Sequence, residues 1–111
     1  MKTFVFDIDG TLCETNGSDY DNCVPILDRI ELVNKLYDAG HHIILMTARG
    51  MGRSNNNPAV ANQLFYSITQ KQVEKWGIKH HQLFLGKPAA DHYIDDKGIK
   101  DSDFFDIQSF E

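Results

Sequence analysis

Two aspartates near the start of the sequence, Asp7 and Asp9, have the side-chain type and the spacing that catalysis would need. They follow a short apolar run, Phe4–Phe6, which is typical of a buried strand. A turn at Gly10 lets the backbone curl, so that both carboxylates can reach one point. Because an unpaired buried charge is costly, two carboxylates at the end of a buried strand indicate a divalent cation. The segment therefore predicts a metal ion with a reactive group beside it.

Polar residues also follow three later apolar runs, at positions 43–46, 83–85 and 93–94. In sequence order these polar residues and their neighbours are Thr47, Ala48, Arg49, Lys87, Asp95 and Asp96. The carboxyl ends of parallel strands meet at one edge of an open sheet, and ligands bind there. Carboxylates, a hydroxyl group and a lysine at one edge suit a phosphate group held against Mg²⁺, which prefers carboxylate oxygens.

Helical patterns separate these runs. Apolar residues with a spacing near 3.6 predict a helix that opens at Pro25 and ends at Ala39 and Gly40. A short helical piece at 60–68 is followed by a capping-box pattern that begins at Thr69, which predicts a second helix ending at Trp76. The order of elements predicts a three-layer α/β sandwich with a mainly parallel sheet. Irregular loops are expected at 10–24 and 49–58.

The composition indicates one globular domain over residues 1–111. The apolar fraction is 41% and the net charge is −5 without a basic run, which argues against a nucleic-acid partner. The start of the sequence lacks the apolar core of a signal peptide, and no window is apolar enough for a membrane span. Cys13 and Cys23 are expected to be reduced thiols, and the expected location is the cytoplasm.

The four groups of polar residues, in this order, resemble the motifs of the haloacid dehalogenase (HAD) superfamily of phosphohydrolases. The segment 6–12, Phe-Asp-Ile-Asp-Gly-Thr-Leu, is similar to motif I, and Thr47 in Ile-Leu-Met-Thr-Ala-Arg is similar to motif II. Lys87 in Gly-Lys-Pro resembles motif III, and Asp95 with Asp96 resembles motif IV. The resemblance spans most of the chain and implies a Rossmann-like HAD domain.

The resemblance also implies a mechanism. Asp7 would attack phosphorus to form an aspartyl-phosphate. Asp9 would protonate the leaving alcohol and later accept a proton from water. Thr47 and Lys87 would hold the phosphoryl oxygens, and Ala48 and Arg49 are further candidates for substrate contact. Arg49 could instead form an exposed surface pair.

The same resemblance implies a Mg²⁺ site. Its ligands would be the side chain of Asp7, the backbone carbonyl of Asp9 and the side chain of Asp95. Asp96 would be a ligand or a support for the ligands. A zinc site built from the histidines and cysteines lacks a recognisable ligand spacing.

The intervals between the motifs are filled by loops, helices and a strand, so we expect no cap domain. An open site would accept a large substrate, or a lid would come from the 10–24 loop, the 49–58 loop or a neighbouring subunit of a homo-oligomer. The expected substrate is a phosphorylated sugar or small metabolite. A narrower resemblance is to HAD phosphatases of capsule and surface-polysaccharide biosynthesis. A phosphotransferase and a non-catalytic HAD-like binding module are the alternatives.

The apolar residues near the end of the sequence allow two interpretations. They would either pack against the sheet and helices or form a subunit interface. These residues are Phe104, Phe105, Ile107 and Phe110.

Overall fold

Strands and helices alternate along the chain. The structure is a computed structural model that describes the backbone of residues 1–108 and the side chains of residues 1–106. In chain order the elements are β1 (Thr3–Asp7), β2 (Cys13–Glu14), a 3-10 helix (Tyr20–Asn22), β3 (Val24–Pro25), α1 (Leu27–Asp38), β4 (His42–Thr47), α2 (Pro58–Lys75), β5 (Gln82–Leu85) and α3 (Asp101–Gln108).

A parallel three-stranded sheet with the order β1-β4-β5 forms the centre of the fold. Phe6 of β1 is paired with Leu45 of β4, and Thr47 is paired with Leu85 of β5. The prediction of an α/β fold with a mainly parallel sheet is confirmed. Within residues 1–108, no further folded unit is inserted between these elements.

One face of the sheet carries the hydrophobic core. Burial alternates along β4, where Ile43, Leu45 and Thr47 are fully buried and the residues between them are half-buried. The helices complete this core with Ile30, Val33, Val73 and Phe105. On the other face, Val5 is 58% exposed and Phe84 is 47% exposed. The two faces are therefore covered unequally, although continuous apolar runs are typical of strands that are buried on both faces.

The helix α1 agrees with its prediction to within two residues. It begins just after Pro25 and ends at Asp38, and Ala39 follows as the C-cap. Gly40 adopts a φ of +94°, a conformation that favours glycine, and so terminates the helix where the sequence predicted.

The helix α2 is one continuous helix of 18 residues. The side chain of Asn57 accepts hydrogen bonds from the backbone N–H groups of Ala59 and Val60, and Pro58 occupies the first turn. Because the helix is capped at Asn57, Thr69 lies in its interior. The prediction of a separate helix with its capping box at Thr69 is therefore wrong.

The buried face of α2 also differs from the expected one. Leu64 and Ile68, which belong to the apolar spacing, are 46% and 39% exposed. Ala61, Thr69 and Val73 are fully buried instead. Helix propensity and spacing allowed the helix, but packing against its neighbours decided its orientation.

The 10–24 loop contains a small antiparallel hairpin. Cys13 of β2 is paired with Pro25 of β3, and Cys23 directly precedes β3. Both cysteines are free thiols, as predicted. The hairpin lies next to the end of β1 in the sequence and brings both cysteines to the same region.

The fourth predicted strand, Tyr93–Ile94, does not form. The segment 86–100 has no regular secondary structure, and Ile94 is 95% exposed. The Tyr93 hydroxyl donates a hydrogen bond to the carbonyl of Pro88, and the Lys87 ammonium lies 4.3 Å from the centre of the Tyr93 ring. The prediction of a strand is wrong because a two-residue apolar run buries little area, so local contacts decide its conformation.

The helix α3 packs against β1 through aromatic rings. The Phe6 ring lies 5.7 Å from the Phe104 ring and 6.1 Å from the Phe105 ring, between centroids. For these two residues the packing interpretation of the apolar tail is confirmed. The side chain of Ile107 and the whole of Phe110 lie outside the described residues. None of the described helices is both long enough and apolar enough to cross a lipid bilayer.

An ion pair between Arg29 of α1 and Asp101 of α3 gives the first prediction. The Arg29 Nη1 atom lies 2.7 Å from Asp101 Oδ2, and its hydrogen bond lowers the pKa of Asp101 below the ordinary value of 3.8. We expect Asp101→Asn to lower the free energy of unfolding at neutral pH by about 1 kcal/mol, because the pair is partly exposed. Urea denaturation of both proteins over a pH series measures this difference.

The sign of the pH dependence follows from the lowered pKa. The folded state favours the ionised Asp101, so its contribution is present above pH 3.8 and is lost as the pH falls through the folded pKa. Asp103→Asn, in the same turn of α3, is the matched control, since it removes an equal charge that makes no ion pair with Arg29. Equal effects of the two substitutions would contradict a role for the ion pair.

Candidate active site

A tight turn after β1 places Asp7 and Asp9 at one end of the sheet. Gly10 adopts a φ of +80°, which favours glycine. The backbone N–H of Leu12 donates a hydrogen bond of 2.8 Å to the carbonyl of Ile8, so the chain reverses within a few residues. The turn predicted at Gly10 is therefore confirmed.

The carboxylate of Asp7 is half-buried and faces a lysine. Its Oδ1 atom lies 3.7 Å from the Nζ atom of Lys87, and the Asp7 side chain is 30% exposed. Burial raises the pKa of Asp7, and the negative charge of Asp9 adds to this effect, while Lys87 offsets only part of it. The negative charge at Asp7 is thus incompletely balanced by the surrounding residues.

Backbone hydrogen bonds hold Lys87 beside Asp7. The N–H groups of Gly86 and Lys87 both donate to the carbonyl of Thr47, each at 3.2 Å. Gly86 has a φ of +122°, and a Cβ atom there would lie 3.3 Å from the Cβ atom of Pro58. A glycine before the lysine therefore allows the chain that follows β5 to pass close to Pro58 at the start of α2.

The carboxylate of Asp9 accepts four strong hydrogen bonds. Oδ1 accepts from Thr15 Oγ1 at 2.6 Å and from Arg49 Nη2 at 3.0 Å. Oδ2 accepts from Arg49 Nε at 2.9 Å and from Thr47 Oγ1 at 3.1 Å. Burial alone would raise the pKa of Asp9, but these donors outweigh it and lower the pKa. Asp7 and Asp9 therefore have opposite pKa shifts.

Arg49 is buried at the centre of the site, with 1% of its surface exposed. It binds Asp9 through two parallel hydrogen bonds, and its guanidinium carbon lies 4.7 Å from the centre of the Tyr20 ring. Its other N–H groups donate to Thr69 Oγ1 at 3.2 Å, Gln72 Oε1 at 2.6 Å and Cys23 Sγ at 3.5 Å. All five donors of the guanidinium group are thus engaged.

This arrangement bears on the predicted roles of Arg49. The alternative of an exposed surface pair is wrong, because the side chain is buried and holds Asp9 in a bidentate pair. With five donors already used, a contact between Arg49 and a substrate would require a different arrangement. Its role in substrate binding stays a prediction.

Thr47 and Ala48 lie at the carboxyl end of β4, as predicted. Thr47 is fully buried, and its hydroxyl donates to Asp9 and accepts from the backbone N–H of Arg49 at 3.1 Å. The Ala48 carbonyl accepts a hydrogen bond from Met51 at 2.9 Å. The Thr47 hydroxyl therefore helps to orient Asp9 in this arrangement.

Asp95 and Asp96 lie on the exposed segment 86–100. Oδ1 of Asp95 accepts hydrogen bonds from the N–H groups of Gly98 and Lys97, which lower its pKa. The structure brings together Asp7 with Lys87 and Asp9 with Thr47, and it leaves these two aspartates exposed to solvent. Their role as metal ligands stays a prediction.

Two functional contacts were missed by reasoning from the sequence. Thr69 and Gln72 are three residues apart on α2 and both hold Arg49, although their spacing predicted a capping box. Gln72 also donates a hydrogen bond through Nε2 to the carbonyl of Tyr20. Polar residues three apart within an otherwise continuous helix are a signal that could have indicated a buried partner.

Among residues 1–106, one group of three side chains could hold a metal ion through His, Cys or carboxylate atoms. It consists of Asp9, Cys13 and Cys23, whose ligand atoms lie within 4.8 Å of one another. Oxygen ligands suit Mg²⁺, so the thiols make this group a poor match for it. Asp7 fits Mg²⁺ better, because its negative charge is incompletely balanced.

No protein-family model matches this chain, and no curated protein matches it. Among solved structures, it is similar to the crystal structure of an MCSG target from Vibrio cholerae. The sequences are 34% identical, the match covers 94% of this chain and 87% of the other, and the TM-score is 0.84. This chain belongs to the same family as that protein.

Two more distant structures show the same fold as this family. The D,D-heptose 1,7-bisphosphate phosphatase from B. bronchiseptica, complexed with magnesium and phosphate, is 18% identical, with a TM-score of 0.53 over 82% of this chain and 52% of the other. A chain of the Pnkp1/Rnl/Hen1 complex is 20% identical, with a TM-score of 0.58 over 94% of this chain and 33% of the other. These likenesses support a HAD-like fold for this chain, as the four motifs implied.

Proposed function

We propose that this protein is a Mg²⁺-dependent phosphatase that acts through an aspartyl-phosphate. The observation that carries the proposal is the position of Asp7, a half-exposed carboxylate at the end of β1 that faces Lys87 at 3.7 Å. A lysine in this position supports a nucleophilic role for Asp7, because it would balance the charge of the transferred phosphoryl oxygens.

In the proposed reaction, an oxygen of Asp7 forms a bond to phosphorus and the bond from phosphorus to the leaving alcohol breaks. Asp9 protonates that alcohol, and a water molecule then attacks the aspartyl-phosphate. The hydrogen bonds from Arg49 favour the carboxylate form of Asp9, which suits the acceptance of a proton from water. To donate a proton, Asp9 first has to turn away from Arg49.

Bound Mg²⁺ would offset the repulsion between Asp7 and an anionic substrate. The Asp7 side chain and the Asp9 carbonyl would hold it at the end of β1. Asp95 would complete the set, with Asp96 as a ligand or support, if segment 86–100 moved toward this edge. The incompletely balanced charge of Asp7 supports a cation at this place.

An open site fits a phosphorylated sugar or another small metabolite as the substrate. Asp7 and Lys87 are both partly exposed, which supports access of substrate and of water as the acceptor. A lid from a second subunit, a role in capsule or surface-polysaccharide synthesis and a cytoplasmic location remain parts of this proposal.

The direct test is phosphate release from an aryl phosphate. We expect activity with Mg²⁺, a fall of about 100-fold or more with EDTA, and recovery when excess Mg²⁺ is added. Circular dichroism in EDTA should be unchanged, which would separate loss of the metal from loss of the fold. Full activity in EDTA would contradict the role of the metal.

The same assay with added alcohols separates hydrolysis from phosphoryl transfer. A hydrolase releases one phosphate for each aryl alcohol, whatever alcohol is added. A phosphotransferase converts part of the phosphate into a new phosphate ester. A binding module without catalytic activity releases neither product.

A further inference from the structure

Two thiols of the β2–β3 hairpin lie against the carboxylate of Asp9. The Sγ atom of Cys13 is 3.6 Å from Asp9 Oδ1, and the two sulfur atoms lie within 4.8 Å of each other. The Sγ atom of Cys23 lies 3.5 Å from Arg49 Nη2 and donates a hydrogen bond of 2.9 Å to the carbonyl of Tyr20. Both thiols thus touch the pair of Asp9 and Arg49 directly.

A metal ion is a poor occupant of this group. The guanidinium of Arg49 already places a positive charge 3.0 Å from Asp9 and 3.5 Å from Cys23. Chemistry between the two sulfur atoms needs no added cation.

We infer that Cys13 and Cys23 form a reversible dithiol–disulfide pair that a peroxide oxidises and that acts on Asp9 and Arg49. Cys23 is half-buried and lies next to a guanidinium group, whereas Cys13 is fully buried. The two positions therefore differ in access: a small oxidant reaches Cys23 first, and Cys13 is held close by as the second thiol.

The chemistry balances with hydrogen peroxide as the oxidant. The Cys23 sulfur attacks one peroxide oxygen, the O–O bond breaks, and a sulfenic acid and one water molecule form. The Cys13 sulfur then attacks the Cys23 sulfur, the S–O bond breaks, and the hydroxyl leaves with the Cys13 proton as a second water molecule. Both sulfur atoms are oxidised and both peroxide oxygens are reduced.

The hairpin register explains how a disulfide would reach Asp9. Cys13 is paired with Pro25, so Cys23 is its diagonal neighbour on the same face. Diagonal Cα atoms are roughly 7–8 Å apart, whereas a disulfide requires about 4.4–6.8 Å. The hairpin must therefore tighten, which breaks the contact from Arg49 to Cys23 and shifts Cys13 relative to Asp9.

The first measurement is independent of any enzymatic activity. We expect treatment with hydrogen peroxide to remove both titratable thiols of the native chain. Its mass should fall by two hydrogen atoms and should remain that of a single chain, which indicates an intramolecular disulfide. Dithiothreitol should restore both thiols. In the Cys13→Ser variant, peroxide should convert Cys23 to a sulfenic acid, which dimedone captures. In the Cys23→Ser variant, the Cys13 thiol should remain reduced at the same peroxide dose. Unchanged thiols, or loss of the Cys13 thiol in Cys23→Ser, would overturn the proposal.

The second measurement rests on the proposed phosphatase function. We expect oxidation to lower the rate of phosphate release by about tenfold or more, because hydrogen-bonded groups at the reacting centre tolerate little displacement. Dithiothreitol should restore the rate, and Cys23→Ser should keep its own rate after peroxide. A disulfide that forms without a change in rate would overturn the effect on Asp9. A chain that forms the disulfide but has no activity when reduced would overturn the phosphatase proposal instead.

Discussion

Asp7→Asn is expected to lower the rate of phosphate release by about 1,000-fold or more, while the protein stays as stable as the native chain or becomes more stable. The amide has nearly the shape of the carboxylate but cannot form an aspartyl-phosphate. The rate is measured with an aryl phosphate and Mg²⁺, and the stability by urea denaturation in EDTA.

The stability part of this prediction follows from the pKa of Asp7. Burial raises that pKa above 3.8, so the folded state disfavours the ionised carboxylate at neutral pH. The neutral amide removes this unfavourable charge. The urea midpoint of unfolding should therefore stay the same or rise. If Asp7 had a purely structural role, the loss of activity would be accompanied by a loss of stability.

Asp21→Asn is the matched control for Asp7→Asn. Asp21 is an exposed aspartate of the 3-10 helix, and the substitution makes the same chemical change away from Lys87. We expect its rate to stay within about twofold of the native rate, as is usual for an exposed surface position. If Asp7→Asn and Asp21→Asn were equally active, Asp7 would not be the nucleophile.

Arg49→Met is expected to lower the free energy of unfolding by about 2–4 kcal/mol. Removal of one partner of a buried ion pair leaves an uncompensated charge, which generally costs about 3–5 kcal/mol. The Asp9 side chain is 24% exposed, so water compensates part of this loss. Thr69 and Gln72 also lose their donor. Urea denaturation in EDTA measures the change.

Arg53→Met provides the comparison for Arg49→Met. Arg53 is exposed, and its guanidinium carbon lies 5.1 Å from the centre of the Phe65 ring. We expect Arg53→Met to lower the free energy of unfolding by less than about 1 kcal/mol. Arg49→Lys should remain strongly destabilised, because one ammonium group cannot replace five donors in a planar fork. Similar losses for Arg49→Met and Arg53→Met would contradict the central position of Arg49.

The pair of Asp9 and Arg49 can be isolated by a double-mutant cycle. In the double variant of Asp9→Asn and Arg49→Met, neither charge is left unpaired. We expect it to be less destabilised than the sum of the two single variants, by more than about 1 kcal/mol. Simple additivity would mean that the two residues contribute separately.

Much of the fold was predictable from local patterns. The apolar runs at 4–6, 43–46 and 83–85 became the three strands of the sheet, and the helix that begins near Pro25 formed where expected. These patterns are informative because a continuous apolar run or a period of 3.6 residues remains visible in one sequence. The weak pattern at 93–94 did not form a strand, since two residues offer little area to bury.

The chemical inventory of the site was also visible in the sequence. Because the carboxyl ends of parallel strands meet at one edge, Asp7, Asp9, Thr47 and Lys87 could be placed together before any coordinates were known. The structure places Lys87 against Asp7 and Thr47 against Asp9. Residue type and strand order were sufficient for these four residues, whereas Asp95 and Asp96, predicted for the same edge, lie exposed on segment 86–100.

Only the tertiary structure decided how these groups are paired. The sequence by itself determined an α/β fold with carboxylates at one sheet edge, but it left Arg49 as either a substrate contact or a surface pair. Folding buries Arg49 between α2 and the end of β1, with Thr69 and Gln72 as acceptors. Along the chain, Arg49 is 40 residues from Asp9, 20 from Thr69 and 23 from Gln72. Such contacts follow from packing between elements, and no periodicity within a single element records them.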